Sequence, residues 1–218
     1  MSFFEILKSS LPSLLSGLAV TIEIAFFALI FATIIGLVFG LMSISKSKIL
    51  RGISTIYIFI DRGTPLMIQA LFVYFGLGQV FGITFNPVRA GIAILAFNAG
   101  GYLSEIFRGG IEAVDKGQLE AARSLGLSHS QAMIKVVLPQ AIKIMIPSIM
   151  NQFIIAIKDT SILTVISVKE LIQCGKIIIA SNFRCMEVYG IVAMMYLILI
   201  TLLTFASKAV ERRLAYDN

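Results

Sequence analysis

Residues 24–45, 63–88 and 188–207 contain no aspartate, glutamate, lysine or arginine. A helix of about 20 apolar residues crosses roughly 30 Å of hydrocarbon. Lipid offers no partner to a free backbone N–H or C=O, so runs of this kind cross it as helices. Only 14% of the 218 residues are charged, and 58% are hydrophobic. A soluble domain carries about a quarter of its residues charged, so most of this surface faces something other than water. The chain reads as an all-α, polytopic membrane protein.

Five spans are expected, at about 13–45, 53–78, 88–108, 141–167 and 186–208. The first is long enough to tilt or to include an interfacial part. With the N-terminus outside, eleven Lys and Arg fall in inside segments, among them Lys46, Arg51, Arg123, Lys135, Arg212 and Arg213, against five outside. That bias places the N-terminus out and the C-terminus in the cytoplasm. The net charge of +6 is explained by basic residues at membrane edges, so no nucleic-acid partner is implied. The first run is too long for a cleaved signal. Cys174 and Cys185 leave two readings open, a disulfide outside the membrane or two free thiols. One histidine, His129, cannot build a metal site with them.

The connection 112–139 is polar, between two apolar runs. Leu119, Ala122 and Leu125 recur at helical spacing over 117–127, with Ala121 beside them. Glu120 is expected in the first turn, where the helix dipole favours an acid. Gly126 suits the stop. Ser128 and Gln131 have capping-box spacing, which starts a second helix running to Leu138, and Pro139 interrupts or kinks the entry to the fourth span. The small apolar face either docks a partner or packs on the spans.

The stretch Glu120-Ala121-Ala122, three residues, Gly126, nine residues, then Val136-Val137-Leu138-Pro139 resembles the EAA motif of ABC importer permeases, E-A-A-x3-G-x9-I-x-L-P, with Val136 the one departure. Arg62-Gly63-Thr64-Pro65, the stretch from Gly101 to Ile111, and Lys158-Asp159-Thr160-Ser161 are similar to the polar amino acid subfamily of histidine, glutamine and arginine permeases. The resemblance runs from about residue 10 to 210. It implies the type I ABC importer fold, a single transmembrane unit over 1–218, and a bacterial inner-membrane location. It implies that Glu120, Ala121, Ala122, Arg123, Gly126, Leu127, Leu138 and Pro139 form coupling helices docked on an ATPase. Two such ATPase subunits, a second permease copy (identical or related), an extracytoplasmic amino acid binding protein and an amino acid substrate are the implied partners, with lipid around the spans. No phosphate-binding loop occurs in the chain, so ATP and its magnesium belong to the ATPase and no cofactor is expected here.

Charged and polar residues within spans are expensive and are candidates for the transport path. Around Asp61, Arg62 and Thr64 the second span is expected to break, with Thr64 capping a restarted helix at Pro65. Arg62 either holds a substrate carboxylate or pairs internally with Asp61 or another acid. Asp159 either holds an ammonium, with Thr160 and Ser161 nearby, or pairs with Arg62. Asn98 and Glu105 share a face of the third span, and Glu105 alternatively pairs with Arg108. Gln69 and Gln152 are path residues or interhelical glue. Asp61, where the resembling family has an apolar residue, suggests a preference for cationic amino acids. The alternative to an ATP-driven importer is an ion-gradient-driven carrier, for which the polar connection would have no task. A membrane-embedded enzyme would need a nucleophile–base pair or metal ligands that this sequence does not offer.

Overall fold

The computed structural model describes residues 3–216, with side chains described through 212; the side chain of Arg213, counted above toward the inside charge, lies outside the described residues. Eight helices follow in order among the described residues: α1 (Phe3–Ser43), α2 (Lys48–Gly63), α3 (Leu66–Phe81), α4 (Pro87–Glu112), α5 (Lys116–Ser124), α6 (His129–Ile166), α7 (Leu171–Asn182) and α8 (Cys185–Tyr216). There is no strand among them. α1, α4, α6 and α8 are each long and apolar enough to cross a membrane. α2 and α3 meet the same criterion only together, as a pair bent by 102°, so the described residues hold four such spans, or five with the pair taken as one.

α1 begins ten residues before the expected span. Its 41 residues extend about 60 Å at 1.5 Å per residue, roughly twice the hydrocarbon thickness. The extra turns are held by Ile6 and Leu14, which pack with Leu171, Cys174, Val188 and Ile191. The buried stripe of α1 is mostly small: Gly17, Ala25, Ala28, Ala32, Gly36 and Gly40. Small residues let helix backbones approach closely in lipid, and α1 lies along α4 over most of its length. At Gly36 a Cβ would stand 2.6 Å from the Leu103 Cβ. The opposite face of α1, with Ile22, Phe26, Ile30, Ile34 and Val38, is exposed.

α2 is apolar outward and polar inward. Its buried residues are Ser54, Tyr57 and Asp61, spaced at helical intervals on one stripe. The Ser54 hydroxyl donates to the Phe39 carbonyl at 2.7 Å and the Tyr57 hydroxyl to the Phe97 carbonyl at 2.6 Å. These bonds fasten α2 to α1 and α4, while Ile53, Ile56 and Phe59 face outward.

The polar connection forms two helices as expected, with different ends. Asp115 caps α5, its side chain accepting from the Gly117 amide at 2.7 Å. Glu120 therefore lies beyond the first turn, not within it as the sequence suggested. α5 ends in a Schellman turn: the Leu127 amide donates to the Ala122 carbonyl, the Gly126 amide to the Arg123 carbonyl, and Gly126 has φ +88°. The Ser128–Gln131 capping box is present in both directions. Replacing Ser128 by alanine leaves the Gln131 amide without its partner and is expected to cost about 1 kcal/mol, seen as faster amide exchange confined to the first turn of α6.

The second connection helix and the fourth span are one continuous helix, α6. Pro139 does not break it. The proline removes the N–H that the Lys135 carbonyl would receive, and the helix widens into a π-turn over Met133–Val137. The last turn tightens to 3-10 geometry over Thr160–Ile166. Beyond it, α7 occupies what the sequence suggested was an extracytoplasmic loop. Glu170 caps it, accepting from the Ile172 and Gln173 amides at 2.8 and 2.7 Å and from the Tyr196 hydroxyl at 3.2 Å. Burial pushes the Glu170 carboxyl above the usual range, and those three donors oppose the shift. Cys174 is buried, Cys185 is exposed, and both are free thiols.

Candidate translocation site

The elbow between α2 and α3 falls at Thr64-Pro65, where the sequence expected a break. Thr64 does not cap α3: its hydroxyl turns back to the Ile60 carbonyl at 2.8 Å, closing the end of α2. Pro65 stands at the N-cap position of α3 with no side-chain cap. A proline at 65 leaves the Asp61 carbonyl without its helical donor. Gln69 supplies the replacement. Its side-chain amide lies 2.9 Å from the Asp61 carbonyl, 3.3 Å from Asp61 Oδ1, 3.2 Å from the Thr64 carbonyl and 3.0 Å from Thr64 Oγ1. Asn98 on α4 donates to Asp61 Oδ1 and to Gln69 Oε1, both at 3.3 Å.

Asp61 is 1% exposed. Its Oδ2 has no hydrogen-bond partner and rests against Gly101, where a Cβ would overlap it. Asp61 and Gln69 thus fasten the elbow to α4, and Gln69 also lines a separate, mostly apolar cavity with Ile60, Phe72 and Phe97.

Beside the elbow lies a cavity of about 500 Å³, lined by Arg62, Thr64, Asn98, Tyr102, Gln152 and Asp159 among others but by neither Asp61 nor Gln69. Four elements supply these groups: α2, the elbow, α4 and α6. Among the described residues no ion pair joins Asp159 to Arg62. Thr160 and Ser161 are not brought to the cavity with Asp159. Thr160 is fully buried with its hydroxyl on the Ile157 carbonyl, and the Ser161 hydroxyl donates to the Lys158 carbonyl.

Arg62 sits at the cavity's edge. Its guanidinium lies 5.5 Å above the Tyr102 ring centre and 3.4 Å from Glu105. Glu105 is also held by Arg108, at 3.0 and 3.2 Å, and Arg108 reaches Glu112 at 2.6 Å. The Arg108 pairing that the sequence offered for Glu105 is present, Arg62 is a second partner, and Glu105 does not line the 500 Å³ cavity with Asn98. Tyr102 was not singled out as a path residue from sequence. Its position four residues after Asn98 and three before Glu105 puts it on their helix face, which is the signal that finds it.

On the connection, Glu120, Ala121, Arg123 and Gly126 are exposed, Leu127 and Leu138 are half-buried, and Pro139 is exposed. Leu125 stands 85% exposed at the turn, whereas Ala122 is buried. Leu119 packs against a core that includes Phe107, Val114 and Val137. The small apolar face is thus divided: Leu119 and Ala122 pack inward, and Ala121 and Leu125 face out.

The described residues hold no group of three or more His, Cys, Asp or Glu arranged for a metal ion. Residues 32–216 match the family described as binding-protein-dependent transport system inner membrane component. The arginine transport system permease protein ArtQ of Bacillus subtilis (strain 168) is 38% identical over 208 residues, covering 95% of each chain. The glutamine transport system permease protein GlnP of Escherichia coli (strain K12) is 37% identical over 206 residues, covering 94% of each. Among solved structures, an amino acid ABC transporter crystallised with histidines superposes with a TM-score of 0.92 at 38% identity, covering 98% of this chain and 99% of that one. The MetNI methionine ABC transporter shares the fold, with a TM-score of 0.79 at 22% identity, over 93% and 96% of the two chains.

Proposed function

The chain belongs to the family of binding-protein-dependent transport system inner membrane components, and from that membership we propose that it is the permease subunit of an ATP-driven amino acid importer. Two copies, or this chain and a related one, enclose the path. Two ATPase subunits dock on α5 and the start of α6, through Glu120, Ala121, Arg123 and Gly126, and carry all the ATP and magnesium chemistry. An extracytoplasmic binding protein delivers the amino acid, and the permease itself makes and breaks no covalent bond. The orientation that fits is N-terminus out, with the connection 112–139 in the cytoplasm.

One observation carries this reading: the 500 Å³ cavity has a guanidinium, Arg62, and a carboxylate, Asp159, on walls from different helices, unpaired with each other. An amino acid bears one carboxylate and one ammonium. Each must lose water to cross, and each finds an opposite charge here. Thr64, Asn98 and Gln152 offer neutral hydrogen bonds between the two. The relatives transport arginine and glutamine by name. Asp61 does not line this cavity, so it offers no direct contact there to a cationic side chain.

The test is uptake of labelled L-arginine and L-glutamine into proteoliposomes holding the permease with its own ATPase and binding protein. Uptake of one or both is expected only with internal or external ATP at the ATPase face and with all three components. Accumulation driven by an ion gradient without nucleotide would establish the rival carrier. An Asp159→Asn permease is expected to lower uptake about 10- to 100-fold, the value of one charged hydrogen bond.

A further inference from the structure

Arg62 lines two cavities. One is the substrate cavity already described. The second, of about 580 Å³, is bordered by Ser43, Thr55, Phe59, Glu105 and Arg108 as well as Arg62. Ser43 ends α1 and Arg108 lies in the last turns of α4, so this second space opens toward the end of the molecule where α5 and the start of α6 lie. The guanidinium stands on the partition between the two, braced on the Tyr102 ring.

We propose that Glu105 is a resident stand-in for the substrate carboxylate: it occupies Arg62 when the path is empty, and the arriving carboxylate displaces it, so that Arg62 carries the amino acid from the first cavity into the second. This rests on the importer reading and names the group that sets affinity in the same site.

The geometry makes the exchange inexpensive in both directions. The Arg62–Glu105 contact is single and long, 3.4 Å, with the two side chains 48% and 28% exposed. Exposed pairs of this kind are weak. Glu105 does not become an orphan when Arg62 leaves it, because Arg108 already holds both of its oxygens at 3.0 and 3.2 Å. Arg108 in turn is anchored by Glu112. The charges Arg62, Glu105, Arg108 and Glu112 therefore form a neutral chain with Arg62 as its loosely held end. A substrate carboxylate offers Arg62 a bidentate contact that Glu105 does not make. Glu105, released, remains at the mouth of the second cavity and can reclaim Arg62 once the amino acid moves on. The competitor makes binding weak enough for release, which a transport path needs.

The permease–ATPase complex, purified in detergent, is titrated calorimetrically with whichever of L-arginine and L-glutamine it transports, and with the corresponding carboxamide, which keeps the ammonium and lacks the carboxylate. Wild type is expected to prefer the amino acid. Glu105→Gln is expected to bind the amino acid about two- to fivefold more tightly, the strength of the pair removed, with carboxamide affinity unchanged. Arg62→Gln is expected to weaken amino acid binding about 10- to 100-fold and to erase the preference over the carboxamide; Arg62→Lys retains part of it. Weaker or unchanged amino acid binding in Glu105→Gln, or a preference surviving in Arg62→Gln, overturns the stand-in. A complex that transports amino acid without measurable binding overturns it while leaving the importer intact, and one that neither transports nor binds overturns both.

Discussion

Gly101→Ala is expected to destabilise the purified permease more than any other single methyl group added to α4. The Cβ would overlap the Asp61 carboxyl, and that side chain has nowhere to retreat. It is 1% exposed, pinned on one oxygen by Asn98 and Gln69, with the Gln69 amide also holding the Asp61 carbonyl that Pro65 leaves free. Overpacking a close contact costs about 1–3 kcal/mol. Turning the carboxyl away strips donors from a buried polar group, about 1–3 kcal/mol more. For a chain of this length a loss of that size lowers the melting temperature by roughly 4–24 °C, measurable by thermal unfolding of the detergent-purified complex. The double variant Gly101→Ala, Asp61→Ser isolates the cause. Residues in contact do not act additively, so the smaller partner is expected to return part of the lost stability. Equal melting of Gly101→Ala and wild type would show that the elbow does not depend on this contact.

The second large effect is expected at Gly126. With φ at +88°, the Schellman turn between α5 and α6 requires a left-handed residue, which costs an ordinary side chain about 1–2 kcal/mol and a β-branched one more. No neighbouring atom would meet a Cβ there, so the penalty is backbone strain alone. Gly126→Val is expected to melt near the wild-type temperature, because the turn is exposed and carries little of the core. Under the proposed docking of an ATPase at this turn, its ATP-driven uptake is expected to fall about tenfold or more, the loss of roughly 1.4 kcal/mol there, with less ATPase co-purifying. Gly126→Asn, which tolerates the left-handed region, is expected to retain most of both. Full transport by the valine variant would remove the turn from the coupling interface.

Much of this architecture was legible because lipid enforces a simple code. Long uncharged runs marked α1, α3 and α8, shorter ones marked α4 and α6, and the proline at 65 marked the elbow. The connection helices declared themselves through Gly126 and the Ser128–Gln131 box. Other features were hidden because they depend on what packs across from a residue. α6 passes through Pro139 by widening its turn, which no local pattern announces. α7 was missed because its cap, Glu170, is an isolated acid whose partners Tyr196 and the Ile172 amide are set by the fold. In the candidate site, sequence offered acids and bases without saying which faced the path. Asp61 was read as favouring cationic side chains and Asp159 as an ammonium partner, yet Asp61 packs against Gly101 away from the cavity while Asp159 lines it. Thr160 followed Asp159 in sequence and left it in space, since neighbours on a helix point different ways.

The unbroken course of α6 has a consequence for timing. From its capped start beside the exposed turn to Asp159 it spans about 45 Å at 1.5 Å per residue, as one helix that lacks only the N–H donors of Pro139 and Pro147 and carries a single widened turn near its foot. Such a rod stores little slack. Any tilt imposed at its foot reaches the cavity wall as one displacement, so under the importer proposal the Asp159 carboxylate shifts in step with a motor docked there rather than after it.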